Sequence, residues 1–98
     1  MSLEEIRNKI VPILRANNVE YAAIFGSVAR GQDNQKSDLD LLIRYTEVPS
    51  LIGHIGLAQD LEDILHKKVD LVTERSLKES IAPTVKKDLV VLYGNGQR

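Results

Sequence analysis

Asp38 and Asp40 stand two residues apart in the run Ser37-Asp38-Leu39-Asp40-Leu41, and a short way upstream lies Gly26-Ser27-Val28-Ala29-Arg30-Gly31. Carboxylates at i and i+2 of a strand share one face, with Cα atoms about 6.6 Å apart, and can converge on shared cations. Magnesium suits such donors, because it takes few carboxylates and completes its shell with phosphate oxygens and water. Two such ions clamp the attacking and leaving oxygens of an in-line displacement. Gly26 lets the backbone approach a phosphate with no Cβ in the way, and Ser27 offers a hydroxyl and an N–H at the start of a turn. Arg30 carries a fork of donors that can reach a phosphate oxygen and neutralise a leaving pyrophosphate. Asp70, in Val69-Asp70-Leu71-Val72, is a third acid. It can bind the second metal and lower an acceptor hydroxyl's pKa or take its proton. The set points to phosphoryl chemistry.

Each of these residues also has a plainer use. An Asp-x-Asp on a strand is commonly a solvated face, Ser27 can simply cap a turn, and Arg30 can form a weak surface ion pair. Weighing against the plain uses is the combination of the Gly-Ser pair, the ten-residue gap to Asp38 and the third acid.

The elements that must hold these residues can be read from apolar spacing. Leu3, Ile6, Ile10, Ile13 and Leu14 recur at helical intervals, and Ser2 with Glu5 makes a capping box, so residues 2–17 form a helix that Pro12 bends and Asn17-Asn18 ends. Residues 21–25 are a short apolar run, a strand buried on both faces that delivers Gly26 at its carboxyl end. Residues 27–30 fit one helical turn stopped by Gly31. Residues 37–44 alternate, with Asp38, Asp40 and Leu42 on one face and Leu39, Leu41 and Ile43 on the other, which predicts a half-buried strand with an exposed acidic face.

From Pro49-Ser50 a second long helix runs to about His66, its apolar side made of Leu51, Ile55, Ala58, Leu61 and Leu65. Gly53 and Gly56 weaken its first turns by ~1 kcal/mol each. Residues 67–73 are a strand with Asp70 opposite Val69 and Leu71. Ser76 and Glu79 form another capping box, and Pro83 splits residues 76–88 into two short helical pieces. Residues 89–93 are a strand or a helix end, and 94–98 a frayed tail. The link from 26 to 37 is too short for a full crossover helix, so the first two strands are antiparallel. The fold class is α/β, a small mixed β-sheet packed by helices.

Composition narrows the function further. At 98 residues the chain is expected to be a single domain, 1–98, with 43% hydrophobic and 28% charged residues. A net charge of -1 argues against a general nucleic-acid binder, so nucleic acid is not expected as a direct ligand. Without cysteine there is no thiolate metal site or cysteine nucleophile. No apolar run approaches the ~18 residues of a membrane span, and Glu4, Glu5, Arg7 and Lys9 stand where a signal peptide would be apolar, so a cytoplasmic protein is expected. His54 and His66 are out of phase for an i, i+4 metal pair and read as surface or partly packed residues. Lys67-Lys68 and Lys86-Lys87 read as solvated charges.

Gly26-Ser27, ten residues, then Asp38-Leu39-Asp40 resembles the signature of the DNA polymerase β-like nucleotidyltransferase superfamily. The longer strings Gly-Ser-Val-Ala-Arg-Gly and Ser-Asp-Leu-Asp-Leu-Leu-Ile are similar to its minimal members, the MNT domains. The resemblance is strong over residues 21–44, and Val69-Asp70-Leu71-Val72 fits the family's third acidic strand. It implies the polymerase β-like fold and transfer of a nucleoside monophosphate, AMP from ATP, to a hydroxyl, with pyrophosphate leaving. It further implies that Asp38, Asp40 and Asp70 are the catalytic metal ligands, for two Mg2+ ions, and that Gly26 and Ser27 hold the triphosphate tail, with Arg30 as a further nucleotide contact. Minimal members of this size pair with a HEPN-type toxin as its antitoxin, and some adenylylate a tyrosine of that partner, which implies a hetero-oligomer.

Two other functions compete with that expectation. One is a non-catalytic antitoxin that masks its partner by contact. The other is the catalytic half of a two-chain enzyme acting on a small molecule.

Overall fold

The computed structural model describes residues 2–26, 38–74 and 89–94. Helix α1 (Leu3–Ala16) begins as the sequence predicts: the Ser2 hydroxyl accepts from the Glu5 N–H at 3.1 Å, and Glu4 and Glu5 sit at the positive end of the helix. Ile6, Ile10 and Leu14 form its buried stripe, and Pro12 is accommodated inside it. Asn17 caps the far end, its side chain donating to the Ile13 carbonyl at 2.8 Å. Asn18 follows at φ 61°, a left-handed conformation that asparagine tolerates, and turns the chain into strand β1 (Val19–Phe25). The Asn18 carbonyl also accepts from the Thr46 N–H at 2.8 Å and the Thr46 hydroxyl at 3.1 Å, tying this turn to the segment that leaves the next strand.

That strand is β2 (Leu39–Tyr45), followed by helix α2 (Leu51–Leu65), β3 (Val69–Thr73) and β4 (Val90–Gly94). The described strands form one mixed sheet in the order β3-β2-β1-β4. β1 runs antiparallel to β2 and β4, and β2 runs parallel to β3. The antiparallel first pair and the mixed sheet are as expected from the short link. α2 is the crossover that a parallel β2–β3 pair requires. Of residues 89–93, left open between strand and helix, 90–93 are strand and Leu89 precedes it: Ala22 pairs with Tyr93, and Ala23 with Val91.

Both helices lie on one face of the sheet. Ile6, Ile10 and Leu14 of α1 and Leu57, Leu61 and Leu65 of α2 close over Ala22, Ile24, Leu39, Leu41, Ile43 and Val69. Two expectations are corrected here. The acidic face of β2 is not an exposed one, because Leu42 is only 3% exposed and joins Tyr21 and Ala23 in a second apolar cluster, with Phe25, Val72 and Leu89 packed against it. Lying between β1 and β3, β2 is buried on both sides. The apolar side of α2 also differs: Leu51 and Ile55 are 74% and 47% exposed, and the buried stripe is Leu57, Leu61 and Leu65, because only the last turns of α2 cover the sheet. The turn expected at 27–30, the helical pieces at 76–88 and residues 95–98 of the tail expected at 94–98 lie outside the described residues, whereas Gly94, expected in that tail, ends β4 paired with Tyr21. Among the described residues, no helix is long and apolar enough to cross a membrane.

Burial along α2 sets a direct contrast. Leu61→Ala, at a fully buried position, should cost about 2–5 kcal/mol in urea unfolding, whereas Leu51→Ala should stay within about 0.5 kcal/mol of the wild type.

Burial also pushes the Tyr45 hydroxyl pKa above the usual 10.0. A folded-state pKa above the unfolded one contributes stability that is complete below about pH 10 and lost as pH rises through the folded value. Urea midpoints should therefore fall as the pH is taken above 10, and Tyr45→Phe, which cannot ionise, should make that fall shallower.

Candidate active site

The register of two strand pairs brings the predicted chemistry together. In the antiparallel pair Ile24 faces Leu41 and Phe25 faces Asp40, so Gly26 leaves the end of β1 directly beside Asp40. Gly26 has φ +76°, and a Cβ built on it would collide with Asp40 Oδ2. Glycine is thus required twice, by a backbone conformation that L side chains rarely adopt and by a carboxylate resting against its Cα.

In the parallel pair Leu39 faces Val69, Asp40 faces Asp70 and Leu41 faces Leu71. Adjacent strands lie about 4.8 Å apart, so the two acids are immediate neighbours. Leu39, Leu41 and Val69 turn into the helix-covered core, and strand alternation places Asp40 and Asp70 on the opposite face. Asp40 is half-buried and Asp70 exposed. Asp38 is exposed and precedes the first residue of β2, where the Leu39 N–H donates to the Lys68 carbonyl at 2.8 Å.

Of the six residues singled out from the sequence, the structure gathers Gly26, Asp40 and Asp70 and sets Asp38 at the mouth of the same strand. Ser27 and Arg30 lie outside the described residues. Among the described residues, no three His, Asp or Glu side chains close around a point that would enclose a cation. The carboxylates are arranged as neighbours in register rather than as a ready cage. Like charges directly opposite each other destabilise a sheet, so this placement does not serve stability.

Sequence reasoning missed a group farther along the same face. Arg44 follows Asp40 and Leu42 in the alternation, and its Nε meets Glu20 Oε1 at 3.1 Å while Nη1 meets Glu74 Oε1 at 3.3 Å. Its guanidinium lies 5.1 Å from the centre of the Tyr21 ring. The Tyr21 hydroxyl is pushed above its usual pKa by burial first and the Glu74 charge second, with Arg44 opposing. Arg44 thereby ties β1, β2 and the residue that follows β3 together on the acid-bearing face. No short motif marks it, because its partners lie 24 and 30 residues away in the chain. His54, read from the sequence as a surface or partly packed residue, is half-buried and shares a hydrogen bond of 2.9 Å with Tyr45 at the other end of β2, and neither takes part in this site.

Comparison with known proteins places this geometry. The Polymerase beta, Nucleotidyltransferase family model matches residues 8–98. The protein adenylyltransferase MntA of Thermococcus cleftensis is 37% identical over 94 residues, covering 92% of this chain and 95% of its own. Among solved structures, a crystal structure of a toxin–antitoxin with AMP-PNP superposes with a TM-score of 0.80 at 31% identity, covering 93% of this chain and 75% of that one. A structure of the tri-AMPylated Shewanella oneidensis HEPN toxin in complex with MNT antitoxin gives a TM-score of 0.74 at 27% identity, over 96% of this chain and 74% of that one. With nearly its whole length matched by the family model, the chain belongs to the polymerase β nucleotidyltransferase family.

Proposed function

We propose that this chain is a protein adenylyltransferase that moves AMP from ATP to a hydroxyl, a tyrosine, of a HEPN-type toxin and thereby acts as its antitoxin. The observation that carries this reading is Gly26 seated against the Asp40 carboxylate with Asp70 beside it, in a domain that resembles MntA along almost its whole length. Support for the partner comes from the toxin–antitoxin complexes among the structural neighbours, one of them with the toxin AMPylated. The chain and its toxin would form a hetero-oligomer, in the cytoplasm where ATP is held.

In this reading Gly26 and Ser27 receive the triphosphate tail, the missing Cβ of Gly26 letting the backbone pass the Asp40 carboxylate, and Arg30 meets the outer phosphates. The acceptor oxygen attacks the α-phosphorus, the bond from that phosphorus to the bridging oxygen breaks, and pyrophosphate leaves. Asp70, exposed beside Asp40, takes the proton of the attacking hydroxyl. Asp38, Asp40 and Asp70 are the residues to hold Mg2+, two ions in the complete site. An oxygen-only donor set fits that ion, which needs only one or two carboxylates alongside substrate phosphates and therefore no closed protein cage. When bound, Mg2+ supplies charge neutralisation of the phosphates.

Intact mass spectrometry of the co-purified toxin should show adenylyl additions that require ATP and Mg2+. Asp40→Asn should cut the rate of addition by about a hundredfold without lowering the urea midpoint, since it removes a charge beside Asp70. Toxin neutralisation that survives Asp38→Asn and Asp40→Asn undiminished would mean that masking by contact is the mechanism. Modification of a small molecule with an unmodified toxin would select the two-chain enzyme instead.

ATP with Mg2+ at 100 times its dissociation constant should stabilise the chain by ~2.7 kcal/mol. Gly26→Ala should abolish that gain, since its methyl group competes with the Asp40 carboxylate for the same space.

A further inference from the structure

Glu62 fastens both ends of the short connector that leads from α2 into β3. Its backbone carbonyl accepts the N–H of His66, the left-handed cap of α2, and the N–H of Lys67 at 3.4 Å. Its side chain reaches past the connector, and Oε2 accepts the N–H of Val69, the first residue of β3, at 3.1 Å. The Lys68 carbonyl is turned toward β2, where it accepts the Leu39 N–H. Strand alternation therefore turns the Val69 N–H away from β2, outside the ladder that pairs the two strands.

We infer that Glu62 is the positioning residue for Asp70: by holding the Val69 N–H it fixes the phase of β3 that sets Asp70 beside Asp40. The inference rests on the reading that Asp70 serves nucleotidyl transfer. β3 has five residues, and among the described strands it pairs with β2 alone. A shift of one residue would turn Asp70 into the helix-covered core and bring Val69 and Leu71 out. The carboxylate of Glu62 gives the first amide of the strand a charge-assisted bond, stronger than a neutral acceptor would. Asp63, the next residue, is exposed, and Val69 is buried, so the anchor is made at the covered side of the helix.

The test compares the wild type with Glu62→Ala and Glu62→Gln, each as the full chain. Glutamine keeps an acceptor oxygen at the same reach and alanine removes it. Two measurements are needed, one of them independent of turnover. In the first, Mn2+ is titrated and its binding read by electron paramagnetic resonance, and the half-saturating Mg2+ for toxin adenylylation is measured beside it. Glu62→Ala should weaken both by about tenfold, and Glu62→Gln should remain within about twofold of the wild type. In the second, amide hydrogen exchange should quicken about tenfold at Asp70 and Val72, whose N–H groups face β2, in Glu62→Ala, with the amides of β1 unchanged.

Wild-type Mn2+ affinity and wild-type exchange at Asp70 in Glu62→Ala would overturn the inference, and so would a Glu62→Gln variant as impaired as the alanine. A merely structural residue would change exchange in β1 as well. If Glu62→Ala does not fold, Glu62→Asp, one methylene shorter, takes its place in the same comparison. A wild type that neither binds Mn2+ nor modifies the toxin would refute the proposed function, and the exchange measurement would still decide the role of Glu62.

Discussion

Two carboxylates held side by side on neighbouring strands are the constraint on which the rest of the structure depends. Asp40 and Asp70 occupy paired positions of a parallel ladder, where like charges side by side are unfavourable. What holds them there is the other face of the same strands. Leu39, Leu41, Ile43 and Val69 are 0–5% exposed beneath the two helices, and each such side chain contributes roughly 1.5–3 kcal/mol by leaving water. The side-chain period of a strand is two, so a slip of one residue would part the acids only by exposing that whole row. Burial wins, and the repulsion is retained as a property of the site.

Around this pair the remaining features fall into place. Gly26 belongs to the same economy of space, since the end of β1 can pass Asp40 only without a side chain. Ala22 and Ala23, fully buried in the middle of β1, present small side chains on opposite faces of the sheet. Arg44 draws Glu20, Glu74 and Tyr21 together farther along the acid-bearing face, which gives β1, β2 and the residue that follows β3 a common polar fastening.

Much of this could be read from the residues. The alternation through β2 put Leu42 on the face opposite Leu39, Leu41 and Ile43, as found, and Ser2 and Ser50 marked both described helix starts, because caps and strand periodicity are local effects. Alternation says which side chains share a face but not what covers that face, so the burial of Leu42 was not legible. The covered side of α2 escaped for a related reason: apolar residues occur all around its first turns, and only tertiary packing selects Leu57, Leu61 and Leu65. The short apolar run at β4 could not be told from a helix end by periodicity alone. Arg44 and Glu62 were missed because their roles arise from backbone and side-chain partners brought close by folding.

The solvent-facing apolar residues Val48, Leu51 and Ile52 lie where β2 ends and α2 begins, at the opposite end of β2 from Asp40. The seven residues of β2, at about 3.3 Å each, separate its two ends by about 20 Å. At physiological ionic strength the screening length is about 8 Å. A charge introduced near Val48 is therefore electrostatically silent at the carboxylates, and the stickiness of one end of the molecule can change without altering the field around Asp40 and Asp70 at the other.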